Sequence, residues 1–135
     1  MTFDTLNIST TTEEELPRIL NILSNIRTHI IKNEYNLQDI IASILKRNDI
    51  AFKKEYKLAH RNRIDFLLAS GIGIEVKKGK PDRNQVIHQL ERYASFNQIN
   101  SIILVVERNL DIPHEINGKR CVSFGLNKLW GVALR

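Results

Sequence analysis

The stretch that decides the fold is residues 63–79, which read RIDFLLASGIGIEVKKG. Apolar residues occupy every second position in 63–68 and again in 72–77, and this period of two is typical of β-strands. The small residues at 69–71 lie between the two runs and predict a hairpin turn. The same period occurs in 52–58, so the sequence predicts three consecutive strands. The residues expected to share an apolar face are Phe52, Tyr56 and Leu58, then Ile64, Phe66 and Leu68, then Ile72, Ile74 and Val76.

A helix and a buried strand follow the hairpin. Residues 83–96 have apolar residues at helical spacing, and Asp82 with Gln85 has the spacing of a capping box. Residues 101–106, SIILVV, are apolar on both faces, as in a central strand that is covered on both sides. A strand, a helix and a buried strand in this order make a βαβ crossover, so the third and fourth strands should be parallel. One or two further short strands are expected at 120–124 and 129–134.

Two helices are predicted before the strands. Isoleucine and leucine recur at three-to-four spacing over 17–31, with Pro17 suited to the first helical position, although a start at Thr12 is left open by a competing capping box. A second helix is predicted at 36–47. The fold class is therefore α/β, a mixed sheet of about five strands with helices on its faces, in a single domain spanning 1–135.

Composition places the chain among ordinary globular proteins. It has 135 residues, of which 42% are hydrophobic and 26% are charged. Cys121 is the single cysteine, which excludes a disulfide scaffold and a zinc finger and fits a reducing compartment. The N-terminus lacks the basic start and apolar run of a signal peptide, and no stretch approaches the ~20 apolar residues of a membrane span. We expect a soluble, cytoplasmic protein without a membrane partner.

The positive charge is concentrated in the second part of the chain. Residues 1–49 carry five Lys or Arg against seven Asp or Glu, whereas residues 50–135 carry fifteen against eight. Nine of those fifteen lie between Lys53 and Arg83. Such a cluster is the electrostatic footprint of a polyanion-binding protein. The alternative is an ordinary solvated basic face.

Charged residues also occur inside the three predicted strands. Side-chain alternation places Glu55, Asp65, Glu75 and Lys77 together on the face opposite the apolar triplets. Phosphodiester hydrolysis needs hard oxygen ligands for Mg²⁺, a group that positions water and a cation that offsets transition-state charge. Carboxylates on neighbouring strands beside a lysine provide all three. Taken alone, the Glu-x-Lys triplet is weak evidence, since it occurs by chance in many chains and its ordinary interpretation is an exposed cross-strand ion pair.

The order of these elements resembles a known superfamily. Residues 63–79, the following helix NQVIHQLERYASF and the strand SIILVV resemble the core of the PD-(D/E)XK nucleases, which have the restriction-endonuclease-like fold with an αβββαβ core. The resemblance covers residues 34–106. The chain then consists of an N-terminal extension and helix at 1–31, the core at 34–106 and C-terminal strands at 107–135.

Individual residues match the motifs of that superfamily. Asp65 matches the metal-binding aspartate, and Glu75-Val76-Lys77 matches the (D/E)XK element, whose lysine positions the attacking water. Gln89 and Tyr93 match the QxxxY element of the exonuclease-like branch, where both residues face the active site or the DNA. The alternative for Tyr93 is packing at the edge of the core with its hydroxyl in water.

The resemblance implies a nuclease that depends on Mg²⁺ or Mn²⁺ and acts on DNA. Asp65 and Glu75 are the implied metal ligands. Glu55 matches a carboxylate often seen on the first core strand, and Glu34 occupies the place of a glutamate on the first core helix, so both are further candidate ligands. The basic residues expected to contact DNA are Lys53, Lys57, Arg61, Lys78, Lys80, Arg83 and Arg92.

Specificity and assembly are less constrained by the sequence. The chain contains no helix-turn-helix or zinc module for base recognition, so structure-selective cleavage, nicking or end trimming is as consistent with it as restriction. The apolar stripe of the helix at 17–31 is wide enough for the core or for a partner, and we favour a homodimer. The alternatives are a catalytically silent nucleic-acid- or protein-binding module of the same fold, and a structural subunit that docks through that helix.

Overall fold

The computed structural model describes residues 12–26 and 34–126. This part of the chain forms three helices and six strands, so the protein is α/β. In chain order they are α1 (Thr12–Leu23), α2 (Glu34–Arg47), β1 (Phe52–Ala59), β2 (Asn62–Leu68), β3 (Ile72–Lys77), α3 (Arg83–Ala94), β4 (Ser101–Val106), β5 (Glu115–Ile116) and β6 (Lys119–Gly125). None of the described helices is long and apolar enough to cross a lipid bilayer.

The six strands form one mixed sheet in the order β1-β2-β3-β4-β6-β5. Strands β1, β2 and β3 pair antiparallel, which confirms the three consecutive strands. Strands β3 and β4 pair in parallel, as the crossover through α3 predicts. Strand β6 lies parallel to β4 on its other side and confirms the first predicted tail strand, while the second, at 129–134, falls outside the described residues. The sheet has one strand more than the five predicted. The sequence did not predict β5, because its two residues are too few to show a period.

The crossover helix α3 begins where its cap predicts. Asp82 is the N-cap, and its Oδ2 accepts a hydrogen bond from the Gln85 backbone N–H at 3.0 Å. The helix ends at Ala94, two residues before the predicted end, because the backbone N–H of Ser95 turns back to the carbonyl of Arg92. All six residues of β4 are buried, as expected of a strand covered on both sides.

Helix α1 takes the earlier of its two predicted starts and ends before its predicted end. The helix begins at Thr12, the competing start, and Pro17 lies inside it. It ends at Leu23, where the Ser24 hydroxyl donates to the carbonyl of Asn21 at 2.6 Å. The apolar spacing extends further because Ile26 still reaches the core without being helical. Residues 27–31 of the predicted helix lie outside the described residues.

The apolar stripe of α1 is buried within the chain, in contact with α2 and the sheet. Its buried members are Leu16, Ile19, Ile22 and Leu23, together with Ile26 beyond the helix. The expectation that this stripe serves as a dimer interface or docking arm is therefore wrong for these residues, because the core already covers them. Helix α2 begins at Glu34, two residues before its predicted start.

Hydrophobic side chains form two clusters, one on each side of the sheet. The first core lies under α1 and α2 and receives Ile72, Ile74 and Val76 from β3. The second core lies under α3. Because side chains alternate along a strand, Glu75 and Lys77 lie on the side of the sheet that α3 covers.

The predicted apolar faces of β1 and β2 are wrong, because both strands change face partway along. Phe52 packs against the first core, whereas Tyr56 packs against the second. In β2, Phe66 belongs to the first core and Ile64 to the second. The change in β1 falls at Glu55, whose φ of 52° is in the left-handed region. Because the backbone leaves the extended conformation at Glu55, the side chains after it no longer alternate in step with those before it. The predicted faces assumed unbroken alternation.

Candidate active site

Asp65 and Glu75 lie on adjacent strands and are connected by two hydrogen bonds between backbone and side chain. The Asp65 backbone N–H donates to Oε1 of Glu75 at 3.2 Å, and the Val76 backbone N–H donates to Oδ2 of Asp65 at 2.8 Å. The regular pairing of β2 with β3 ends at the pair Phe66 and Ile74, which are the chain neighbours of Asp65 and Glu75. The side-chain bonds therefore continue the connection between the strands and hold the two carboxylates together.

Glu75 is a strongly perturbed acidic group at this site. Its side chain is 5% exposed. Burial, and secondly the negative charge of Asp65, raise the pKa of Glu75 from 4.5 to about 8, while Lys77 opposes the change. Desolvation acts in this direction because it penalises the charged form of a carboxyl group. Without a further cation, the two carboxylates therefore retain a proton at neutral pH.

Lys77 completes the group that the sequence predicts on this face. Its Nζ lies 3.4 Å from Oε2 of Glu75, and its side chain is 22% exposed. The contact confirms that Lys77 shares the face of Glu75. Lys78 follows on the same chain segment, is half-buried, and by alternation points to the other side of the sheet.

Tyr93 lies beneath the site rather than at its surface. It is 2% exposed, its hydroxyl donates to the carbonyl of Arg63 at 2.7 Å, and the hydroxyl accepts from Nε2 of Gln89 at 3.0 Å. The alternative in which the hydroxyl sits in water is therefore wrong. Burial, followed by the negative charges of Glu75 and Asp65, raises the pKa of Tyr93, so the hydroxyl stays protonated as a donor. Tyr93 thus holds β2 two residues before Asp65.

A groove of about 420 Å³ opens beside Lys77, between the end of β3 and α3. Gln85, Gln89 and Arg92 follow each other at spacings of four and three, which places them on one helix face. A phosphate-bearing ligand in the groove would meet the ammonium of Lys77, the guanidinium of Arg92 and two side-chain amides. The lining residues are Lys77, Pro81, Asp82, Gln85, Val86, Gln89 and Arg92.

The other two candidate metal ligands are not brought into this group. Glu55 is exposed on β1, and it does not contribute to the pKa shift of Glu75. Glu34 is the first residue of α2, and its side chain lies outside what the structure describes. Over residues 12–26 and 34–126, no three His, Cys, Asp or Glu side chains are grouped so that they could hold a metal ion. The convergence of three carboxylates predicted from alternation is therefore reduced to the pair Asp65 and Glu75.

That pair still fits a hard divalent cation. Mg²⁺ is commonly held by one or two carboxylates, with waters and substrate phosphate oxygens completing its octahedral shell. The carboxylates of Asp65 and Glu75 are the right donors, and the pKa of Glu75 is raised first by burial and secondly by the charge of Asp65, both of which a bound cation would counteract. A cation would therefore replace the proton that the pair otherwise retains.

Most of the basic residues predicted to contact DNA lie at one end of the sheet. Because β2 runs antiparallel to β3, the β1–β2 turn lies beside the end of β3. That turn contains Arg61, and the chain after β3 contains Lys78, Lys80 and Arg83. Arg61, Lys80 and Arg83 are exposed, and Lys78 is half-buried.

The remaining members of that set differ in position. Arg92 connects α3 to the β1–β2 turn, since its Nε donates to Oδ1 of Asn62 at 3.2 Å. Lys57 is exposed near the same turn. Lys53 lies further along β1, with its Nζ 5.7 Å from the centre of the Tyr56 ring, and is therefore separated from the others.

Two groups that shape the site are backbone atoms, which sequence reasoning did not identify. The Val76 N–H and the Arg63 carbonyl bind Asp65 and Tyr93 respectively. No residue type signals such a role.

Comparisons of the chain with protein-family models, with curated proteins and with solved structures find no match.

Proposed function

We propose that the protein is a divalent-metal-dependent nuclease with a restriction-endonuclease-like fold, which hydrolyses phosphodiester bonds in DNA as an endonuclease or nicking enzyme. The observation that carries the proposal is the Asp65–Glu75–Lys77 group. Two carboxylates and one ammonium are held together in a largely buried position beside an open groove. A purely structural ion pair gives no reason to bury a second carboxylate, because the charges that Lys77 leaves unbalanced cost stability.

Asp65 and Glu75 would hold Mg²⁺ or Mn²⁺ through their carboxylate oxygens. Such a cation, when bound, polarises a phosphoryl oxygen and lowers the pKa of a water molecule. The backbone N–H groups of Asp65 and Val76 orient the two carboxylates, which limits the reorganisation needed during the reaction.

Lys77 has the role that acts most directly on the substrate. Once Glu75 is neutralised by a cation, the three N–H donors of the ammonium can orient the attacking water and a phosphate oxygen. Its positive charge then offsets the negative charge that develops on the phosphate in the transition state. Gln89 and Arg92 line the groove and would position the nucleic-acid strand, while Tyr93 acts as a positioning residue through β2.

The test is a cleavage assay with purified protein on supercoiled, linear, branched and single-stranded DNA, and on single-stranded RNA. We expect cleavage with Mg²⁺ or Mn²⁺ and none in EDTA. Asp65→Asn and Glu75→Gln should each abolish it while circular dichroism shows an intact fold. Glu91→Gln is the matched control, because Glu91 is an exposed carboxylate on α3. Cleavage that persists in EDTA, or in Asp65→Asn, would refute the assignment.

A catalytically silent nucleic-acid-binding module is the second candidate. It is favoured by one observation, that no third carboxylate joins Asp65 and Glu75 in the described part of the chain. The same assay separates the two candidates. A silent module would bind DNA without needing Mg²⁺ and would cleave none of the substrates.

A further inference from the structure

Two consecutive residues of α3 connect this helix to strand β2. The hydroxyl of Tyr93 donates to the carbonyl of Arg63 at 2.7 Å, and Nε of Arg92 donates to Oδ1 of Asn62 at 3.2 Å. Tyr93 is buried, whereas the contact between Arg92 and Asn62 lies at the surface. A hydrogen bond at the surface adds little to stability, because water competes for both of its partners. Tyr93 therefore docks the helix, and the second contact is not needed for docking.

The side-chain amide of Asn62 is held in one orientation by the β1–β2 turn. Its Nδ2 donates to the carbonyl of His60 at 3.0 Å. Because the amide nitrogen faces the turn, the amide oxygen faces α3 and accepts from Arg92. An acceptor that is fixed in this way restricts the conformations of the long side chain that donates to it.

The contact with Asn62 uses only the inner nitrogen of the Arg92 guanidinium. A guanidinium has five N–H donors in a planar fork, and the Nε–H is one of them. In the part of the chain that the structure describes, the other donors, on the two terminal nitrogens of Arg92, have neither a hydrogen-bond acceptor nor a carboxylate partner. Two parallel N–H donors of this kind bind a phosphate in a bidentate manner.

Arg92 lines the same groove as Lys77. Asp82 is the acidic residue among the groove's lining, and its Oδ2 accepts from the Gln85 backbone N–H as the N-cap of α3. The groove therefore has an excess of positive charge, which suits an anionic ligand. Each nucleotide of a strand carries one phosphate charge, so two cations along one groove fit two phosphates of the same strand.

We propose that Arg92 binds a phosphate of the nucleic-acid strand other than the one that reacts beside Lys77, and that Asn62 is a positioning residue that orients Arg92 for this contact. The inference rests on the proposed function, because it takes the ligand of the groove to be a nucleic-acid strand. It adds Asn62 to the residues that act on the substrate and gives the β1–β2 turn a role in holding it.

The experiment measures the affinity for a fluorescent single-stranded oligothymidylate by anisotropy in EDTA, so that it depends on neither metal nor cleavage. Wild type is compared with Asn62→Ala, Arg92→Ala, the double variant and Arg92→Lys, which keeps the charge without the fork. Asn97→Ala is the matched control, because Asn97 is an exposed asparagine beyond the end of α3. The Arg92 Nε–H resonance is followed by NMR without DNA, and thermal unfolding reports the stability of each variant.

We expect Arg92→Ala to weaken DNA binding by about tenfold, because a charge-assisted hydrogen bond is lost. Asn62→Ala and Arg92→Lys should weaken it by about threefold, the cost of ordering a long side chain that wild type already holds in place. In the double variant Asn62→Ala should add nothing, because it acts only through the guanidinium. The Arg92 Nε–H resonance should move in Asn62→Ala, while the melting temperature stays within about 4 °C of wild type. Asn97→Ala should match wild type in every measurement.

Wild-type affinity in Arg92→Ala, or no binding of the oligothymidylate by wild type, would overturn the inference. Additive losses in the double variant would show that Asn62 does not act through Arg92. A lower melting temperature of Asn62→Ala with unchanged DNA affinity, or its failure to fold, would make the contact a structural one, and wild-type affinity in Arg92→Lys would show that orientation is unimportant. If wild type bound the probe as expected but cleaved no DNA, the nuclease proposal would fail and this inference would stand.

Discussion

The buried carboxyl of Glu75 should make the metal-free protein less stable as the pH rises, and Glu75→Gln should remove that effect. In the unfolded chain Glu75 ionises near 4.5, whereas in the folded protein its pKa is about 8. Between these values the unfolded chain has released a proton that the folded protein keeps. Stability is therefore lost as the pH rises through this window and reaches its lowest level above pH 8.

The magnitude follows from the size of the change in pKa. The pKa of Glu75 lies about 3.5 above its usual value, and one pK unit corresponds to about 1.4 kcal/mol. The ceiling is therefore about 5 kcal/mol, a large share of the total stability of a domain. Little is subtracted for solvent screening, because the side chain is 5% exposed. The charge of Asp65 influences the titration of Glu75, which spreads the change over a wider pH range than one isolated group would show.

The assay is urea unfolding of wild type and Glu75→Gln in EDTA, at intervals from pH 4.5 to pH 9. The free energy of unfolding of the variant, minus that of wild type, should rise across this range and level off above pH 8. Glu91→Gln should follow the wild-type curve, since that carboxylate is exposed. Parallel curves for wild type and Glu75→Gln would refute the reasoning, because they would show that Glu75 titrates alike in the folded and unfolded states.

Three further predictions concern the residues around the carboxylate pair. Lys77→Ala should lower turnover with little change in DNA affinity, whereas Lys78→Ala should weaken DNA affinity modestly at unchanged turnover. Single-turnover kinetics and binding titrations separate these two effects. If both variants lost only DNA affinity, the silent binding module would be favoured. A plot of the logarithm of DNA affinity against the logarithm of salt concentration should have a slope of about −0.9 per neutralised phosphate, and Arg61→Ala should reduce the size of this slope by about one. A DNA affinity independent of salt would indicate a protein partner instead. Tyr93→Phe should cost about 1–3 kcal/mol in urea unfolding, because it removes the hydroxyl that donates to the partly buried carbonyl of Arg63. Unchanged stability would contradict that role.

The elements that the sequence predicted well are those whose signals are local. The hairpin of β2 and β3 follows from alternation on either side of a turn, and α3 follows from the cap at Asp82. The grouping of Glu75 with Lys77 needs only that two residues of one strand share a face. Asp65 joins them because the hairpin brings the two strands together.

The features that the sequence did not reveal depend on contacts between distant segments. The face change in β1 occurs at Glu55, a residue type that gives no local indication of positive φ. The end of α1 is hidden because Ile26 continues the apolar spacing after the helix has ended. The burial of Tyr93 follows from the position of the Arg63 carbonyl, which only the packing of α3 on β2 determines.

The stability cost of the carboxylate pair and its proposed chemistry have the same physical origin. Asp65 and Glu75 carry two negative charges when ionised, and Lys77 supplies one positive charge, so the ionised group has an excess negative charge in a largely buried position. The two backbone N–H donors reduce the cost of that charge but do not cancel it, as the pKa of about 8 for Glu75 indicates. Only a proton or an added cation can neutralise the excess. An exposed pair would attract a cation weakly because water would already screen it. Burial of Glu75 therefore lowers the stability of the metal-free protein and, for the same reason, raises the free energy available for binding a divalent cation at this position.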